Sequence, residues 1–147
     1  MAGVGGVGRR AGWPPSLETL FIGAFILLGI RLGARAIYDN SAFVHLRTGI
    51  DIAAGHGIPR SDPYSFTAGG EPWVVQSWLA ASMYGWIERV GGVGWVVAFN
   101  GALMGALAGV SAWLARTGRP LATGAAGLVV VAAGAAFWAP RPLLFGL

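Results

Sequence analysis

Asp39, His45, Arg47, Asp51, His56, Arg60, Asp62 and Glu71 fall within the stretch from Asp39 to Trp78, in a chain that is otherwise poor in ionisable groups. The stretch holds four of the six acidic residues and both histidines. Its carboxylates can take a proton from a hydroxyl, and Arg47 and Arg60 can pair phosphate oxygens in bidentate fashion. Tyr64, Trp73 and Trp78 offer faces on which a sugar or prenyl chain can stack, and the same residue types anchor chains at a membrane surface. Such groups persist beside hydrocarbon only where they find partners, which makes this loop the candidate functional site. His45, His56 and the acids have poor spacing for a divalent metal, so no metal centre or cofactor is expected.

What must position these residues is a membrane scaffold. The chain has 147 residues, 55% of them hydrophobic and 11% charged, with 25 glycines and a mean hydropathy of +0.63. That composition belongs to a polytopic membrane protein rather than a soluble domain. All ten basic residues are arginine, no run exceeds two adjacent ones, and the net charge of +4 is too dispersed for nucleic acid. The absence of cysteine excludes disulfides and thiolate chemistry.

Gly91 to Leu114 is uncharged over 24 residues and Leu121 to Pro140 over 20, each enough to cross the hydrocarbon. Thr19 to Ile30 is an uncharged run of 12 that reaches span length when Glu18, Arg31 and Arg35 lie near its ends, where arginines can snorkel. A signal peptide with Arg9 and Arg10 as its basic region is the alternative reading of this segment. The expected fold is therefore all-α and integral to the membrane, with three transmembrane helices. The divisions are a tail over 1–16, spans over 17–38, 91–115 and 121–139, a loop over 39–90, a turn over 116–120, and the start of a further segment over 140–147. Arg9, Arg10, Arg116 and Arg119 place the tail and turn in the cytoplasm and the loop outside. The apolar end after Arg141-Pro142 reads as the start of a fourth span, so the chain is expected to be the N-terminal part of a longer protein. Gly101, Gly105 and Gly109 form a small-residue face for intramolecular helix packing, with Asn100 beside it as an interhelical hydrogen-bonding group.

Within the loop two interfacial helices and a short hairpin are predicted. Ser41 to Ala54 places Phe43, Leu46, Ile50 and Ala53 near one face, and Gly55 and Gly57 stop that helix. Pro59 to Pro63 is a turn cluster in which Asp62 suits an Asx-turn, and Gly69-Gly70 reverses the chain between Tyr64-Ser65-Phe66 and Trp73-Val74. Gln76 to Arg89 reads as the second helix, with Trp78, Leu79, Met83, Trp86 and Ile87 on its buried side.

The segments DNSAFVHLRTG (Asp39 to Gly49), GIPRSDPYSFT (Gly57 to Thr67) and PWVVQSWL (Pro72 to Leu79) resemble the first extracytoplasmic loop of the GT-C glycosyltransferases. More narrowly they resemble a bacterial multi-spanning branch that tends to read D-x-D-x-x-x-H-L-x-x-G, then P-x-x-D-x-x-S, then W-x-x-x-x-W-L. Ser41 stands where that branch carries its second aspartate. The resemblance implies a bacterial cytoplasmic-membrane protein transferring a sugar from a polyprenyl-phosphate donor to an acceptor on the outer side. It implies Asp39 as the catalytic base and His45 at the phosphate; Arg47 and Arg60 are phosphate candidates by their bidentate chemistry, and Asp62, Gln76 and Trp78 complete the expected substrate-binding set. Two other readings stay open: a non-catalytic scaffold that binds a lipid-linked saccharide, and a small transport component. The last predicts ionisable groups inside the spans, which Gly91 to Leu114 and Leu121 to Pro140 lack.

Overall fold

A computed structural model describes residues 15–37, 40–116 and 118–135. Asp39, the tail with Arg9 and Arg10, the end of the expected third span and the Arg141-Pro142 segment lie outside the described residues. The described chain is all-helical: α1 (Leu17–Gly33), α2 (Asn40–Ala53), α3 (Trp78–Leu114) and α4 (Pro120–Ala135).

The Ser16 side chain opens α1 by accepting from the Thr19 amide at 3.2 Å, and Glu18 in the first turn suits the positive end of the helix dipole. The helix closes when the Ala34 amide bonds Ile30 O at 2.8 Å, so it ends at Gly33 rather than at the expected residue 38. Among the described residues α3 is the one helix long and apolar enough to cross a membrane. With 17 residues in α1 and 16 in α4, length and composition support a span at one of the three expected positions.

The expected second loop helix and second span are joined in α3, which is broken at Gly92 (φ 74°, ψ −177°). Only glycine adopts that backbone without a steric penalty, so the chain turns there while both sides remain helical. We refer to the parts before and after Gly92 as the loop half and the span half. Val93 to Leu114 rises about 33 Å, close to the thickness of a bilayer's hydrocarbon core. The bend is held by a small apolar cluster in which Leu46 of α2 meets Tyr84 and Val96 from the two sides of the break, and Tyr84 stacks edge-on against Phe99 (centroids 6.3 Å, 81°).

The span half packs antiparallel on α1 through glycines on both partners. Cβ atoms added to Gly101, Gly105 and Gly109 would meet Ala34, Ile30 and Ile26 in turn, and one added to Gly29 would meet the Met104 carbonyl at 2.6 Å. The small-residue face thus serves intramolecular packing, and Asn100 Nδ2 donates to Gly33 O at 2.7 Å across the same interface. α4 lies on the other flank of α1, with Phe21 and Phe25 beside Gly124 and Gly127, and Thr123 Oγ1 donates to Glu18 Oε1 at 2.8 Å. Phe25, Met104, Ala108, Ala112 and Val131 form the core of these three helices. The end of α3 at Leu114 and the starts of α1 and α4 therefore lie at one end, and the loop elements at the other.

Candidate functional site

The loop is built on a close crossing of α2 and the loop half of α3. Gly49 and Gly85 meet backbone to backbone: a Cβ on Gly49 would overlap the Ala81 carbonyl, and one on Gly85 would overlap the Gly49 carbonyl. α2 buries Ala42, Leu46, Gly49 and Ala53, a stripe at helical spacing made of small residues around one leucine, with Thr48 buried beside it. Phe43, expected on one face with Leu46 and Ala53, is 50% exposed. Likewise Trp78, Leu79 and Trp86 are exposed, and Ala81, Tyr84 and Gly85 are buried in their place. Close approach selects small side chains for the contact and turns the large apolar ones outward, the reverse of what counting apolar residues suggests. Arg89 Nη1 donates to Ala53 O at 2.7 Å, satisfying a carbonyl at the end of α2 and tying it to α3.

Burying that stripe leaves Arg47 and Asp51 on another face of α2, one helical turn apart, with Arg47 Nη2 3.3 Å from Asp51 Oδ1. Asp51 Oδ2 accepts from Tyr64 Oη at 2.9 Å, which fastens the following segment to α2. That segment is a hairpin whose arms are Arg60 to Asp62 and Glu71 to Trp73. Trp73 N donates to Arg60 O, Asp62 N donates to Glu71 O (both 2.9 Å), and Ser61 pairs with Pro72 in an antiparallel bridge. The expected arm Tyr64-Ser65-Phe66 is instead the start of the connection. Asp62 Oδ1 accepts from the amides of Tyr64 (2.8 Å) and Ser65 (3.0 Å), an Asx-turn that takes the chain out of the ladder before Tyr64. The Tyr64 ring then stands edge-on to Trp73, with centroids 5.8 Å apart at 85°.

The charge states follow from these contacts. The Ser65 hydroxyl first, then the amides of Tyr64 and Ser65, hold the Asp62 carboxyl below its ordinary value. Burial raises the Tyr64 phenol above its ordinary value, the Thr48 hydrogen bond opposes that shift, and the bond to Asp51 adds to it. Asp51 gives one oxygen to Arg47 and the other to Tyr64, and so orients both side chains. The Arg47 side chain is 64% exposed, leaving much of its guanidinium facing solvent, where an anionic group can approach.

Of the residues expected to form the site, the structure brings Arg47, Asp62 and, through the hairpin backbone, Arg60 into one network around Asp51 and Tyr64. His45 is half-buried on α2. Gln76 is exposed in the turn before α3, and Trp78 is the exposed first residue of α3. Asp39 immediately precedes the described start of α2. The linking role of Asp51 and Tyr64 was not read from the sequence. Its only trace there is the four-residue spacing of Arg47 and Asp51, which marks a shared helix face but not what lies over it.

No protein-family model, curated protein or solved structure matches this chain.

Proposed function

We propose that this chain acts in the bacterial cytoplasmic membrane as part of a GT-C-like glycosyltransferase, transferring a sugar from a polyprenyl-phosphate donor to an acceptor outside. In this reading α1, the span half of α3 and α4 all cross the bilayer and the loop faces outward. The observation that carries it is Arg47, oriented by Asp51 and backed by the Tyr64–Trp73 pair, at the loop end of an apolar three-helix unit. A polyprenyl phosphate presents its charge at that level while its chain stays in hydrocarbon. The exposed part of the Arg47 guanidinium, joined by Arg60, would take up charge developing on the leaving phosphate. Asp39, at the junction of α1 and α2, would deprotonate the acceptor, with His45 assisting. Gln76 and Trp78 would border the sugar. Asp62 serves this site by holding the hairpin rather than by touching substrate.

A base that acts in the transition state can be removed with little effect on donor affinity. In reconstituted full-length protein, Asp39→Asn is expected to keep polyprenyl-phosphate binding while lowering transfer by a factor on the order of 10² to 10⁴. Arg47→Gln is expected to weaken donor binding itself. Undiminished transfer by Asp39→Asn would refute the catalytic assignment. Donor binding that needs Arg47 without any transfer would leave the saccharide-binding scaffold as the function.

A further inference from the structure

Where α1 crosses the span half of α3, an open apolar groove of about 340 Å³ remains between Ile22, Ile26, Ala106, Gly109, Val110 and Trp113. It exists because Gly109 and Ala106 fill little of the space beside the two isoleucines. The groove lies toward the Leu114 end of α3, away from the polar loop. Trp113, which forms its wall there, is 53% exposed, and the Arg116 guanidinium carbon lies 5.5 Å from the centre of its ring. Among the described residues no carboxylate lies against Arg116. Glu18, at the same end, accepts from Thr123 on the α4 side, and the Arg47–Asp51 pair is in the loop. An apolar trough thus ends at an amphipathic indole and a cation that no carboxylate among the described residues compensates. That order of chemistry along the helix axis is the order found along an anionic phospholipid, from acyl chain through interface to phosphate.

We propose that this groove binds one acyl chain of an anionic phospholipid whose headgroup phosphate sits on Arg116. The volume is at the small end of ligand sites, which suits a segment of one chain with the headgroup left outside at Arg116. Arg116 selects the occupant, because cations beside grooves between membrane helices retain anionic headgroups against zwitterionic ones. The inference rests on α1 and α3 lying in a membrane, and not on the transferase reading.

Brominated lipids, which quench tryptophan fluorescence on contact, provide the test. The full chain is reconstituted in phosphatidylcholine vesicles carrying either brominated phosphatidylglycerol or the same fraction of brominated phosphatidylcholine. The Trp113 contribution is isolated by difference from Trp113→Phe. Trp113 quenching should report an enrichment of phosphatidylglycerol of about fivefold, the factor one basic residue contributes near an anionic surface. Arg116→Gln should bring the two lipids to parity, Arg116→Lys should keep the preference, and Ala106→Leu, which fills the groove, should reduce quenching by both. Parity in the unaltered protein, or a preference that survives Arg116→Gln, would overturn the proposal. So would Trp113 shielded from both lipids until the protein is diluted in the bilayer, which would mean that a second copy covers the groove. If no tryptophan is quenched by either lipid, the membrane reading itself fails.

Discussion

Replacing Gly49 by alanine tests the physical basis of the loop. The added Cβ would overlap the Ala81 carbonyl oxygen and press on the Gly85 amide nitrogen, both backbone atoms inside α3 that no side-chain rotation can move. α2 must therefore lift off α3 by roughly an ångström, and a gap of that size forfeits about a quarter to a half of each dispersion contact along the Ala42, Leu46 and Ala53 face. Overpacking in a well-packed interface costs about 1 to 3 kcal/mol, and with backbone on both sides we expect the upper end, about 3 kcal/mol. Gly94→Ala is the matched control: nothing lies within 4 Å of its added Cβ, so it should be neutral or stabilise by about 0.4 to 1 kcal/mol through helix propensity. Both variants can be measured by equilibrium denaturation in mixed micelles, following tryptophan fluorescence. On the proposed transferase reading, Gly49→Ala should also weaken donor binding, because displacing α2 moves Arg47 relative to the hairpin. A Gly49→Ala protein within about 0.5 kcal/mol of the unaltered one would refute the backbone-contact crossing and the placement of Arg47 derived from it.

Tyr64→Phe removes the donor to Asp51 in a partly exposed setting and should cost about 1 kcal/mol, with faster amide exchange across 60–73 as the local readout. The Asp62 carboxyl is held below its ordinary value of 3.8, so its contribution to the hairpin should be complete above that pH and be lost as pH falls through the lower folded value. Amide exchange at Tyr64 and Ser65 should show that loss, and Asp62→Asn should abolish its pH dependence. Thr67→Cys, in the exposed connection of the hairpin, should react with an impermeant thiol reagent in intact cells; reaction only after lysis would reverse the orientation.

The parts of this protein legible in the sequence are those set by neighbours along the chain. Run length and charge marked the apolar segments, although α1 stops at Gly33 and the junction near 90–91 became a backbone break at Gly92. The Asx-turn at Asp62 depends on Tyr64 and Ser65 alone and was readable for that reason. The glycines at 101, 105 and 109 announced a close helix contact, because a repeated absence of side chains is itself a local pattern. The identity of the buried face of α2 was decided only by α3. Periodicity counts apolar residues and chose Phe43, whereas contact between two backbones required Gly49 opposite Gly85 and turned Phe43 outward. That rotation fixes where Arg47 and Asp51 point. The Asp51–Tyr64 bond, formed between residues thirteen apart, exists only because the Asx-turn and the α2–α3 crossing bring the hairpin over the same face. Sequence specified the chemical groups, and packing of small residues between two helices decided which of them meet.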